Sequence, residues 1–136
     1  MSNPVMEPQA MSYTEAMWKS HAPYNNPYQG NDKRVLFVCS AGILRSATGA
    51  RLYARKYKTM AAGSFHMALI PVTHDLLLWA QEVVFVNEEN YLMVQEKFDL
   101  KSFPNLKVKV LDIPDQHEHM SLELIKAFEE QYERVE

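Results

Sequence analysis

A compact, doubly wound α/β domain is the fold this sequence predicts: a four-stranded parallel sheet with helices on both faces. Three observations carry it. Val35–Val38 and Val83–Val86 are continuous apolar runs, the pattern of strands covered on both faces rather than one. Between and after them stand segments of helical spacing, each opened by a capping residue. The 136 residues, 47% hydrophobic and 23% charged, match one ordinary globular domain and leave little room for a second.

The elements follow in order. Val35-Leu36-Phe37-Val38 is the first strand, with Cys39 at its carboxyl end. Ser46 to Tyr57 reads as a helix, its apolar stripe drawn from Ala47, Ala50, Leu52, Tyr53 and Tyr57, with Arg51, Arg55 and Lys56 outside. Lys58 to Ala62 is a weaker strand closed by Gly63. Thr73 caps a helix carrying Leu76, Leu77, Leu78 and Trp79. The second apolar run follows. Asn87 caps the next helix, whose first turn holds Glu88 and Glu89, favourable beside the positive end of the helix dipole. Val108-Lys109-Val110-Leu111 is the fourth strand, and Ser121 opens a last helix expected to turn Leu122, Ile125, Phe128 and Tyr132 inward. Strands alternating with helices imply a parallel sheet with right-handed crossovers. In such sheets a ligand sits beyond the carboxyl ends of the strands.

Residues 1 to 33 differ in composition and are expected to form an irregular N-terminal arm ahead of a domain spanning 34 to 136. They hold four of the seven prolines, Pro4, Pro8, Pro23 and Pro27, and proline breaks both helix and strand ladders. Two roles stay open for the arm: packing on its own domain, or presenting Met17 and Trp18 to a partner. Fourteen basic against seventeen acidic residues give a net charge of -3, which argues against a nucleic-acid coat. No apolar run reaches the ~18 residues of a membrane span, and the opening residues lack the basic-then-apolar pattern of a secretory leader. The single cysteine, Cys39, excludes an intrachain disulfide and suits a reducing, cytoplasmic setting. His117 and His119 flank Glu118 without a third nearby ligand, so no metal or other cofactor is expected.

The chemistry gathers after the first strand. Cys39 leads through Ser40-Ala41-Gly42-Ile43-Leu44 to Arg45 and Ser46 at a helix start. Backbone N–H groups of such a loop and the helix N-terminus are unpaired donors in a positive field, an anion site, and that field favours a thiolate. Arg45 supplies a planar fork for two oxygens of a phosphoryl group, and Gly42 permits the positive φ that turns N–H groups inward. A cysteine by itself is a small buried hydrophobe. Strand, cysteine, glycine-containing loop, arginine, hydroxyl and helix together form a candidate phosphate-binding loop with a nucleophile.

Val38-Cys39-Ser40-Ala41-Gly42-Ile43-Leu44-Arg45-Ser46 resembles the phosphate loop of the low-molecular-weight protein tyrosine phosphatases. Ala61-Ala62-Gly63 resembles that family's Ser-Ala-Gly after the second strand, and Ile113-Pro114-Asp115-Gln116-His117 its general-acid loop. The likeness runs from Arg34 to about Tyr132 and is nearest to a short subgroup with Leu-Asp-Ile-Pro-Asp near the C-terminus, here Leu111 to Asp115. It implies Cys39 as nucleophile, Arg45 with the backbone of residues 40–46 as the phosphate cradle, Ser46 hydrogen-bonded to the thiolate, and Asp115 as general acid. Asp112 is the competitor for the acid role, with a structural task in the loop as its alternative. His117 stands where the family has an aromatic, Gly42 where it commonly has Asn, Leu44 where many members carry a second cysteine, and Ala47 where it has Pro. The substrate implied is a phosphorylated protein or a small phosphomonoester.

Two other functions fit parts of the pattern. A phosphocarrier of the sugar phosphotransferase IIB type shares Cys-Ser-Ala-Gly but lacks an arginine at the position of Arg45. A non-catalytic phosphate-binding module would keep the loop without the chemistry. An arsenate reductase on this fold needs further cysteines to pass on a disulfide. Lys33 to Lys58 holds seven basic residues and no acidic one, while residues 112–136 hold eight acidic and two basic. The basic stretch is expected to form either a positive rim around the loop or a solvated helix face.

Overall fold

The structure, a computed structural model, describes residues 33–42, 44–68, 70–114 and 120–133. The arm before residue 33 lies outside them. Among the described residues there are four strands, β1 (Arg34–Cys39), β2 (Lys58–Gly63), β3 (Glu82–Phe85) and β4 (Lys107–Val110), and all pair in parallel in the order β2-β1-β3-β4. Between and after them run α1 (Arg45–Leu52), α2 (His74–Trp79), α3 (Glu88–Lys97) and α4 (Leu122–Phe128). The chain is an α/β fold of the expected class.

Alternate residues of β1 feed two cores, which is why its apolar run is unbroken. Val35, Phe37 and Cys39 pack with Ala47 and Ala50 of α1 and with Leu124 and Phe128 of α4. Leu36 and Val38 pack with Leu76 and Leu77 of α2 and Val94 of α3. Phe37 is the hub of the first core, with ring centroids 5.9 Å from Phe128, 5.6 Å from Tyr132 and 6.0 Å from Tyr53. Strand order reverses about β1, so the crevice at the switch point opens where β1 and β3 end. Cys39 is the last residue of β1.

Thr73, Asn87 and Ser121 each accept a hydrogen bond from a backbone N–H of the helix they open. Elsewhere tertiary contacts move the boundaries. The first helix stops at Leu52 rather than Tyr57, because Thr59 Oγ1 donates to the Ala50 carbonyl at 2.7 Å and the chain tightens there. In the last helix Leu124, not Leu122, faces the core, and Leu122 is exposed. Leu124, Phe128 and Tyr132 recur every four residues, and a π turn over Glu129–Glu133 keeps Tyr132 over the sheet.

At the amino ends of the strands sits a buried charge cluster. Glu82, at the start of β3, is 1% exposed. Its carboxylate lies 3.2 Å from Lys33 Nζ and 3.4 Å from Lys109 Nζ, and it accepts from the Tyr132 hydroxyl at 2.6 Å. A carboxylate so deeply buried persists only with such partners.

Candidate active site

β1 ends by delivering Cys39 to the crevice, and the loop that follows lies flat on the end of β2. Gly42 has φ +82°, and a Cβ there would stand 2.7 Å from the Ala62 carbonyl carbon. A Cβ on Gly63 would stand 2.6 Å from the Ser40 carbonyl oxygen. Only glycine fits either position. Backbone bonds then fasten the loop to the chain after β2: Ser64 N–H donates to Cys39 O at 2.7 Å, and Phe65 N–H to Ser40 O at 3.2 Å.

Within that frame Cys39 is 2% exposed and belongs to the first core, yet its sulfur has two polar neighbours. Gly42 N–H donates to Sγ at 3.2 Å. Ser46 Oγ lies 3.1 Å from Sγ, so its hydroxyl can donate to a thiolate and accept from a thiol. Arg45, on the first turn of α1, is 3% exposed, rare burial for a guanidinium. Its Nη1 donates to Ile113 O at 2.8 Å and its Nη2 to Ser40 Oγ at 3.3 Å. Leu44, the residue before α1, provides no side-chain cap. Sulfur, guanidinium and helix N-terminus are thus all borne on one seven-residue turn. Ala41 and Leu44 are exposed on its outer side, and Ile43 lies outside the described residues.

Asp115 and His117 also lie outside the described residues, but the chain on either side is fixed. Arg45 holds the Ile113 carbonyl, and Met120 N–H donates to Thr48 Oγ1 at 2.8 Å, with Met120 at φ 59°. Both anchors stand three residues apart on α1. Asp112 is exposed, and its carbonyl accepts from Gln131 Nε2 at 2.9 Å. It lines a cleft of about 840 Å³ beside β4 and α3, and no residue from Cys39 to Ser46 lines that cleft.

The basic stretch is divided by the fold. Lys33, Arg34 and Lys58 lie where β1 and β2 begin, at the end of the sheet opposite Cys39. Arg51, Arg55 and Lys56 lie at or beyond the end of α1. Arg45 is the member of that stretch that belongs to the loop. No group of three or more His, Cys, Asp or Glu among the described residues is placed to hold a metal. No helix among them is long and apolar enough to cross a membrane.

Sequence reasoning missed Asn90 and Ser64. Asn90, on α3, is 1% exposed. Its Nδ2 donates to Ser40 Oγ at 3.2 Å and to Ser64 Oγ at 3.0 Å. The signal was available: Asn90 stands four residues before buried Val94, a polar residue on the apolar stripe of a helix.

No protein-family model matches the chain, and no curated protein matches it in sequence. Among solved structures it is similar to the YwlE arginine phosphatase from Geobacillus stearothermophilus, at 19% identity and a TM-score of 0.52. The match covers 72% of this chain and 84% of that one. The likeness is one of fold.

Proposed function

We propose that this chain is a cysteine-dependent phosphomonoester hydrolase whose substrate is phosphotyrosine on a protein. The observation that carries the reading is the setting of Cys39 Sγ, bonded to Gly42 N–H and Ser46 Oγ in a loop whose next turn holds buried Arg45. In the first step the thiolate attacks phosphorus, the P–S bond forms, and the P–O bond to the leaving group breaks. Asp115 gives its proton to that oxygen. Backbone N–H groups and Arg45 stabilise the equatorial oxygens of the transition state. In the second step water attacks phosphorus, Asp115 takes its proton, and the P–S bond breaks to release phosphate.

The fold similarity to an enzyme named as an arginine phosphatase supports this class of chemistry. Exposed Phe65, whose N–H bonds the loop at Ser40 O, supports an aryl group on the substrate side, since it puts an aromatic ring on the segment fastened to the loop. Arg45 disfavours the phosphocarrier, which holds phosphate on cysteine without it. A substrate panel tests the reading: an aryl phosphate, a phosphotyrosyl peptide, phosphoarginine and an alkyl phosphate, with Cys39→Ser as control. Hydrolysis of the first two, lost in Cys39→Ser by about a thousandfold or more, is the expected outcome. Full turnover in Cys39→Ser would remove the nucleophile, and binding without turnover would leave a phosphate-binding module.

A further inference from the structure

Ser40 is the meeting point of two donors that reach it from different directions. Asn90 Nδ2, from α3, lies 3.2 Å from Ser40 Oγ, and Arg45 Nη2, from α1, lies 3.3 Å from the same atom. A serine hydroxyl has two lone pairs and one proton. Both lone pairs are therefore engaged, and the hydroxyl can meet a further group only as a donor. The other hydrogen of Asn90 Nδ2 goes to Ser64 Oγ, and Ser64 in turn donates to Met93 Sδ at 3.6 Å. Ser64 belongs to the segment whose N–H groups fasten the loop, through Cys39 O and Ser40 O. One amide thus touches both sides of the loop's attachment to β2.

Asn90 is an unusual residue for that place. It is 1% exposed, and its Oδ1 is buried with no hydrogen-bond partner among the described residues. A buried carbonyl left unpaired is costly, and an apolar residue of the same shape would avoid the cost. What the amide provides in return is two N–H donors aimed at Ser40 and Ser64.

We propose that Asn90 is a positioning residue for Arg45: by donating to Ser40 it holds that hydroxyl as a fixed acceptor for the guanidinium and sets its proton as a donor. α3 thereby orients the cation of the loop without touching the anion. The proposal rests on the reading of the loop as a phosphate site. It also explains how a loop with Gly42 at its centre is held without a polar side chain at that position: the support comes from outside the loop.

The test is a double-mutant cycle on the full chain, read by calorimetric binding of orthovanadate. Asn90→Ala and Ser40→Ala each weaken vanadate roughly tenfold, and the double variant is weaker by roughly the same tenfold, because the two act through one contact. Ser64→Ala lowers thermal stability yet shifts vanadate affinity by less than about twofold, a split that a purely structural role for Asn90 would not produce. Should Asn90→Ala not fold, Asn90→Leu keeps the shape without the N–H groups and takes its place in the cycle. Additive losses near a hundredfold, or an Asn90 variant that binds like the wild type, would overturn the proposal while the phosphate site stood. Absence of vanadate binding by the wild-type chain would overturn the phosphate-site reading and this proposal with it.

Discussion

The two ends of the sheet each bury a polar cluster, and they are built on opposite plans. At the amino ends, Glu82 is enclosed by Lys33, Lys109 and the Tyr132 hydroxyl, opposite charges satisfying one another inside the fold. At the carboxyl ends, Cys39 and Arg45 are bonded to hydroxyls, an amide N–H and a carbonyl: Ser46, Ser40, Gly42 and Ile113. The first plan neutralises a charge. The second holds a cation and a sulfur in place through hydrogen bonds on one turn of the chain. Removing one partner from the first cluster leaves buried charge less well compensated, whereas the second cluster is, in the proposed function, the place where an anion binds.

That difference predicts which property each substitution moves. The largest effect belongs to Arg45→Lys, which keeps the charge and loses the planar fork. Turnover of an aryl phosphate should fall by about a hundredfold or more, with the melting temperature nearly kept. A loss of stability without loss of turnover would place Arg45 among structural cations like those around Glu82. Next comes the acid. Asp115→Ala should slow phenyl phosphate turnover by about a hundredfold and leave a nitrophenyl ester, with its better leaving group, much less affected. Asp112→Ala should alter both substrates by no more than a few fold, since its cleft excludes the loop residues. Reversed losses would transfer the role to Asp112.

The lower cluster gives the converse. Glu82→Ala removes the buried carboxylate that Lys33, Lys109 and the Tyr132 hydroxyl share, and chemical denaturation should register about 3 kcal/mol of lost stability. Vanadate affinity of the folded fraction should stay unchanged. A fall in affinity equal to that of a loop variant would show that the two ends are coupled through the sheet. The smallest effect sharpens the same contrast within the first core: Leu124→Ala should cost about 2–5 kcal/mol, and Leu122→Ala close to nothing. Only the former is buried.

What was legible in the sequence was local. Apolar runs mark β1 and β3, caps at Thr73, Asn87 and Ser121 open helices, and the spacing from Cys39 to Ser46 marks the turn in which those side chains meet. Gly63 carries half of a relation that only the fold reveals, because its missing Cβ makes room for the Ser40 carbonyl. What was not legible lies in contacts across long stretches of chain. The end of α1 depends on Thr59, the support of Ser40 on an amide 50 residues away, and the tether of Met120 on Thr48, 72 residues away. Phe128 and Tyr132 face the core as expected, but Leu122 does not, because hydrophobicity alone does not separate Leu122 from Leu124. Of the two readings open for the basic stretch, the fold leaves Arg45 alone in the loop, because the other basic residues lie at the starts of β1 and β2 or at or beyond the end of α1.

The central claim is that the sulfur of Cys39 takes the phosphoryl group itself. Rapid quenching during turnover of an aryl phosphate, followed by mass measurement of the peptide containing Cys39, tests it most directly. The account predicts one added phosphoryl group on Cys39 during turnover and none in the resting protein. Turnover with Cys39 unmodified throughout, or the phosphoryl group on any other residue, would contradict it.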